Sequence, residues 1–468
     1  MVARRLLPTL LLLVVSVLIA PLLVTSALGQ TSQLRMVVVL TRHGVRSPLL
    51  HMTTSPNQNE PWPSLDQWHV TCPGDLTPRG TELVQQMGSF YRAYYAKKGL
   101  LPAPGQCPAG KVYIWADNEE RTLGTARALA AGMSRGIASC LIPVNSLAYT
   151  PAPQSGPDKC KVSDANPTDY FFHPLSYPPF LKTPDGPIDT DKVKDVAKQI
   201  NLEVPHMLTT YHPALQTLQN TLCGGPVAVA CSSVLSLPTE AKAEKTSLKW
   251  TGMFSVSSTA TENFLLEYGN GMPCNLDGWG RVRYNSPDCD GGQSFRQMQE
   301  LHTLYFDWTH HDGYMGQIQG SNLANQILLK LEQGGPGAKV RPFVIYSGHD
   351  TDVASVAGLL QLDWTLPDLP KNDTPPAGAL IFELWGGTTA DTQAVRLYYV
   401  HQTLTQLRKL EDLTLENPPD RVELKLRGCE QLCPFTQFQK IANAAILPKL
   451  TTAGPEGMVV KRKLGKKR

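Results

Sequence analysis

The segment Thr41-Arg42-His43-Gly44-Val45-Arg46-Ser47-Pro48 puts one imidazole and two guanidinium groups within five residues, directly after the apolar run Met36-Val37-Val38-Val39-Leu40. Two fixed cations flanking a histidine suit a dianionic phosphate with a nucleophile at its floor. Arginine's planar fork donates parallel, charge-assisted hydrogen bonds and stays charged at every relevant pH. A solvated basic turn is the plain alternative. Two later segments carry compatible groups: Arg121 follows the run 111–116, and His349-Asp350 follows the run 342–346. A phosphate-binding pocket needs only the cations. Ester hydrolysis also needs an attacking group, a clamp for the non-bridging oxygens and an acid for the departing alkoxide.

His43 can attack phosphorus in line if one ring nitrogen is unprotonated and the other donates to an oriented acceptor such as a backbone carbonyl. Arg42, Arg46, Arg121 and His349 can share the non-bridging oxygens. Asp350 can protonate the leaving oxygen and then take a proton from water. An acid that starts the cycle protonated predicts highest activity at acidic pH. The arginines supply the positive charge, so neither a metal nor another cofactor is expected.

Each feature also has an ordinary explanation. His349-Asp350 alone reads as a helix N-cap with its neighbour, and Arg121 alone as a helix-face ion-pair residue. A metal-binding His-Asp pair needs further histidines, and none stands at a matching spacing. His310-His311 would diverge on a helix and face the surface; His302 and Trp308 fit helix packing. Three such turns, each at a strand end, argue against coincidence.

Those turns need a scaffold that brings separated strand ends together. Segments 36–40, 111–116 and 342–346 are β-branched apolar runs. Each leads into a polar turn, and helix-like stretches follow at 123–133 and 353–360. Alternating strands and helices predict an α/β fold: a doubly wound, mostly parallel sheet with helices on both faces, binding ligands at its carboxyl edge. Ala379–Trp385 and Val395–Val400, joined by a Gly-Gly turn, read as an antiparallel addition. Helical patterns at 191–210, 258–268, 294–308 and 316–332 predict an inserted, mostly α domain with the cleft between the two parts.

The expected division is a signal peptide over 1–29, the α/β domain over 30–160 and 335–455, the α insertion over 161–334, and a basic disordered tail over 456–468. Arg4 and Arg5, the apolar run 6–24 and Ala27-Leu28-Gly29 have the form of a cleaved export signal. A periplasmic or secreted chain is therefore expected, with no membrane contact after cleavage. Without Arg4 and Arg5 the formal net charge falls from +3 to +1, and the six tail cations leave the body at about −5. That balance excludes a global nucleic-acid footprint. The expected partner is a small phosphorylated substrate, and the chain is expected to act as a monomer.

Ten cysteines in an exported chain imply disulfides. Cys223/Cys231, Cys274/Cys289 and Cys429/Cys433 can close small loops, and Cys107 and Cys140 bracket one strand–helix unit. Cys72 and Cys160 are left over; sequence alone establishes none of the pairings. No CxxC pair occurs, which speaks against zinc.

Together these residues resemble the histidine acid phosphatase family, the branch of the histidine phosphatase superfamily with an RHGxRxP loop and a distant His-Asp pair. The resemblance spans about 35 to 450 and looks closest to bacterial periplasmic phytases and glucose-1-phosphatases. Supporting stretches are 76–80, 116–122, 261–266, 271–273 with 278–281, and 347–351 leading to 374–376. It implies His43 as nucleophile, Asp350 as proton donor, Arg42, Arg46, Arg121 and His349 as phosphate ligands, and Glu262 at the border of the substrate pocket. The cysteines depart from the pattern: Cys160 resembles one that pairs near the C-terminus, where 447–450 holds none, which makes Cys72 its candidate partner. The outer pocket departs too. Leu49-Leu50 stands in place of Thr-Lys, Thr259 in place of a methionine, and an arginine expected near Ser321 is missing. Fewer outer cations disfavour inositol hexakisphosphate, so a small, glucose-1-phosphate-like ester is the expected substrate, with a phytase as the alternative. A mutase would be expected to lack the export signal and to use glutamate as its acid. A non-catalytic phosphate binder would not need His43 and Asp350 together.

Overall fold

The structure is a computed structural model that describes residues 33–49, 61–156, 159–163, 166–176, 188–224, 234–244, 247–284, 288–311, 313–334, 340–429 and 432–452. The expected signal segment, the basic tail, Leu50 and Cys231 lie outside the described residues.

One eight-stranded sheet organises the chain. Its strands are β1 (Leu34–Arg42), β2 (Val112–Ala116), β3 (Val144–Asn145), β8 (Phe343–Gly348), β9 (Ala379–Gly386), β10 (Gln393–His401), β11 (Asp420–Leu424) and β12 (Cys433–Pro434). Two small two-stranded sheets lie apart, β4 (Glu240–Glu244) with β5 (Ser247–Thr251) and β6 (Val282–Arg283) with β7 (Gln293–Ser294). The order across the large sheet is β11-β10-β9-β1-β8-β2-β3, with β12 paired to β10. β1, β8, β2 and β3 run parallel, while β9 to β12 add on antiparallel. The antiparallel addition expected from two segments is therefore larger, because β11 and β12 are too short to stand out in the sequence.

Every residue of β8 is buried, as a central parallel strand covered on both faces requires. Helices Pro78–Lys97 and Glu120–Met133 cover one face through Val84, Met87, Tyr91, Leu123 and Leu129, which pack on Val37, Val39 and Ile345. Val38, Leu40, Val344 and Tyr346 face the other core, shared with helices Asp350–Leu359 and Gly313–Gln333. The alternation along each strand sends successive side chains to opposite cores.

Register decides where the chemistry sits. Thr41 pairs with Ser347 and Arg42 with Gly348, while Ala116 also pairs with Ser347. The three strands thus end level, and the loops after them leave from one edge.

The helices expected at 191–210, 258–268, 294–308 and 316–332 are Thr190–Thr210, Met253–Gly269, Phe295–Phe306 and Gly313–Gln333. Disulfides join Cys72 to Cys160, Cys107 to Cys140, Cys274 to Cys289 and Cys429 to Cys433, and Cys223 is also disulfide-bonded. The pairing of the two leftover cysteines holds the loop after Pro48 to the segment before the helical region.

Candidate active site

β1 delivers Arg42 to the interior, fully buried. Its guanidinium donates to Glu262 and to the Thr374 carbonyl, and lies 3.2 Å from Asp350 Oδ2. Burial opposes its charge, but Glu262 and Asp350 outweigh burial and raise its pKa. Breaking such a buried pair by removing one partner costs about 3–5 kcal/mol, because it strands the other charge.

The next residue, His43, is anchored by its backbone: its N–H donates to Gly348 O at 3.0 Å and its carbonyl accepts from Ala377 N at 2.9 Å. Its Nδ1 lies 2.8 Å from Gly44 O, the backbone acceptor that fixes the tautomer and leaves Nε2 with its lone pair. Burial, then Arg42, Arg121, Arg46 and His349, hold the imidazole well below its ordinary pKa. Gly44 must be glycine here, since a Cβ would meet Val84 Cγ2 at 2.6 Å. Arg46, buried, is held by an isolated bridge to Leu76 and donates to Ser47 O at 3.0 Å. Burial and the neighbouring Arg121 lower its pKa to about 10, which leaves it charged.

β2 ends at Ala116, and Asp117 N donates to Ser347 O at 3.0 Å, tying the second loop to the third. Arg121, on the first turn of helix Glu120–Met133, pairs with Glu119 and has its NH2 nitrogen 3.5 Å from His349 Nδ1. β8 ends at Gly348 and delivers His349, whose ring meets His43 edge to face with centroids 5.7 Å apart. Asp350 opens helix Asp350–Leu359. Burial alone would raise its carboxyl, yet Arg42, His43, Arg46 and His349 outweigh burial and hold it well below the carboxylate range.

The structure thus brings Arg42, His43, Arg46, Arg121, His349 and Asp350 to one edge of the sheet, with Glu262 behind Arg42. A cleft of about 280 Å³ opens over Arg46, Asp350 and Glu262, walled by Leu49, Thr259, Tyr305 and Phe306. Ser321 is buried elsewhere, bonded to Gln317 O and Leu447 N, so the position where an arginine was expected does not face this cleft.

Several residues escaped the sequence reading. His302, expected to be packing, lines the cleft, with Nδ1 3.0 Å from Ser258 Oγ and Nε2 3.8 Å from Glu262 Oε2. Asp117 accepts from Nε2 of both His349 and His173, each at 2.8 Å. The expectation that no further histidine joins His349 is therefore corrected: His173 arrives through space, from an irregular segment with no local signal. Asp117 did carry one, since it directly follows a strand. His310 and His311 are also corrected. They sit in a π-helical turn, Asp307–His311, and turn inward to bond Gln319 Oε1 at 2.7 Å and Leu362 O at 2.9 Å.

A family model described as histidine phosphatase superfamily (branch 2) matches residues 33–400. The phytase AppA of Escherichia coli (strain K12) is 32% identical over 459 residues, covering 92% of this chain and 97% of that protein. A glucose-1-phosphatase of Salmonella typhimurium is 26% identical, covering 93% and 98%. The solved phytase from Citrobacter braakii superposes with a TM-score of 0.72 at 29% identity, covering 90% of this chain and 100% of that one. The chain belongs to the histidine phosphatase superfamily, branch 2, and is a phosphatase of the histidine acid type.

Proposed function

We propose that this chain hydrolyses small, glucose-1-phosphate-like phosphomonoesters through a phosphohistidine on His43. The observation that carries this reading is the His43 ring itself: Nδ1 engaged by Gly44 O, its charged form disfavoured by burial, and three arginines within its field. His43 Nε2 attacks phosphorus as the ester P–O bond breaks. Arg42, Arg46, Arg121 and His349 take the non-bridging oxygens, and Asp350 gives its proton to the departing alkoxide. Water then attacks phosphorus as the P–Nε2 bond breaks and its proton passes to Asp350, releasing phosphate and restoring His43.

Asp350 is ionised when the arginines act on it alone, so its proton has to come with the substrate. A phosphomonoester has a second pKa near 6. Below that it enters as a monoanion, and passing its proton to Asp350 gives the dianion plus the protonated acid. The dianion offsets the arginines' field, which favours that transfer. Acid-side activity follows from the substrate's protonation and needs no intrinsically raised carboxyl.

Leu49, Thr259, Tyr305 and Phe306 around the cleft support a small ester, since none offers a cation to further phosphates. A second reading is a phytase, favoured by the 32% identity to the phytase AppA. Among the described residues no helix is long and apolar enough to cross a membrane. The form of residues 1–29 supports export to the periplasm or the extracellular space. The direct test is phosphate release from glucose 1-phosphate and from inositol hexakisphosphate, side by side at acidic pH. Preference for the inositol ester would overturn the small-ester reading and establish the phytase.

A further inference from the structure

Four donors of the type zinc prefers converge beside the phosphate site: Asp117 Oδ2, Glu119 Oε2, His173 Nε2 and His349 Nε2, all within 4.8 Å of one another. They come from three distant parts of the chain. Asp117 Oδ2 lies 2.8 Å from each histidine Nε2, and His349 Nε2 lies 3.7 Å from Glu119 Oε2. Zinc with nitrogen and carboxylate ligands is tetrahedral, with bonds of about 2.0–2.2 Å, which sets the ligand–ligand edges near ~3.4 Å. The observed spacings bracket that edge, so small side-chain movements complete the shell.

We infer that this cluster is an inhibitory site for a divalent transition metal of zinc type. A clamp for phosphate has no use for His173, yet His173 turns its Nε2 onto the same carboxylate oxygen as His349. An ion can reach the site: the side chains of His173 and Glu119 are 38% and 39% exposed. Beside His173 a cavity of about 220 Å³ opens, also lined by Thr351 and Asp352. Binding requires the protons on both Nε2 atoms to leave to solvent. In exchange the metal takes over Asp117 and competes with Arg121 for Glu119.

The consequence for catalysis rests on the phosphate-binding role proposed for Arg121. A ring ligated through Nε2 carries its remaining proton on Nδ1, which lies 3.5 Å from Arg121. The neutral tautomer that accepts from Arg121 is then lost, and Glu119 no longer orients the guanidinium. Zinc at this site therefore strips Arg121 of both its side-chain partners and takes one of the four phosphate ligands out of place. A metal bound here stops turnover.

The test uses the full chain with zinc alone, then with p-nitrophenyl phosphate. Equilibrium dialysis at neutral pH should give one zinc per chain at micromolar free zinc. His173→Asn and Glu119→Gln should each weaken binding at least tenfold, and the two variants guard against one of them misfolding. The half-inhibitory zinc concentration should rise in the same proportion. No stoichiometric binding, or equal binding by wild type and both variants, would overturn the site. Binding that depends on His173 but leaves turnover intact would uphold the site and refute its inhibitory effect. A zinc-free enzyme that hydrolyses no phosphomonoester would refute the functional reading, while dialysis still decides the metal site.

Discussion

His173 and His349 aim their Nε2 atoms at one oxygen, Asp117 Oδ2, at 2.8 Å each. Burial would raise the Asp117 carboxyl, but the two hydrogen-bonded imidazoles outweigh it and hold it far below the carboxylate range. It is a fixed anion whose task is to set the ring plane of His349. A hydrogen bond to a charged group contributes about 1.5–3 kcal/mol, so Asp117→Asn should lower kcat/KM roughly 10- to 150-fold. Steady-state kinetics on glucose 1-phosphate check this; a loss under twofold would remove Asp117 from the support of His349.

Asp350 lies 3.2 Å from Arg42 at the start of its helix and is the proposed proton donor to the leaving oxygen. General acid catalysis contributes about 10²–10⁴-fold. Asp350→Asn should lose that factor on alkyl esters, whose alkoxides need a proton, and much less on p-nitrophenyl phosphate. Wild-type kcat/KM should fall as pH rises through about 6, where the ester loses its second proton. Equal losses on both substrates would exclude Asp350 as the acid.

Leu49 and Thr259 wall the cleft where a cation would meet outlying phosphates. An exposed ion pair is worth up to about 1 kcal/mol, roughly fivefold. Leu49→Lys should raise turnover of inositol hexakisphosphate relative to glucose 1-phosphate by about that factor. An unchanged ratio would mean that this wall does not select the substrate.

Glu267 and Asp277 form a buried acid pair away from the site. Burial pushes both up, Asp277 to about 8 even against the Tyr284 hydroxyl and Arg408, and Glu267 well above its ordinary value with Asp277 adding to the rise. The unfolded carboxyls titrate near ~4. Their stabilisation is therefore full below that value and is lost as pH rises through about 8. His173, raised to about 9 by Asp117 against the effect of burial, acts in the same direction. The urea midpoint should fall between pH 6.5 and 9, and Glu267→Gln should flatten the fall, since its amide oxygen can still accept from Gly278 N–H. A midpoint that rises over that interval would contradict the assignment.

The strand-end turns were legible because they couple a β-branched run to charged residues at a fixed place, and parallel strands align their ends. Arg42 and Gly348 are register partners for that reason. Four helices of the 161–334 region were legible from periodicity alone, whereas the 20-residue helix Pro78–Lys97 was not read. His173 and His302 were not. One lies in an irregular segment, and the other looks like any buried residue of an amphipathic helix until Glu262 is placed 3.8 Å away. The inward turn of His310 and His311 depends on a π-helical turn, and no sequence period announces one.

The central claim is the covalent intermediate on His43. Enzyme mixed with ³²P-labelled ester and quenched in alkali, where phosphohistidine survives, should carry label in the peptide containing His43. In the same experiment His43→Ala should carry none and turn over at least a thousandfold more slowly, about 4 kcal/mol in the barrier. Label on another residue, or wild-type turnover by His43→Ala, would contradict the account.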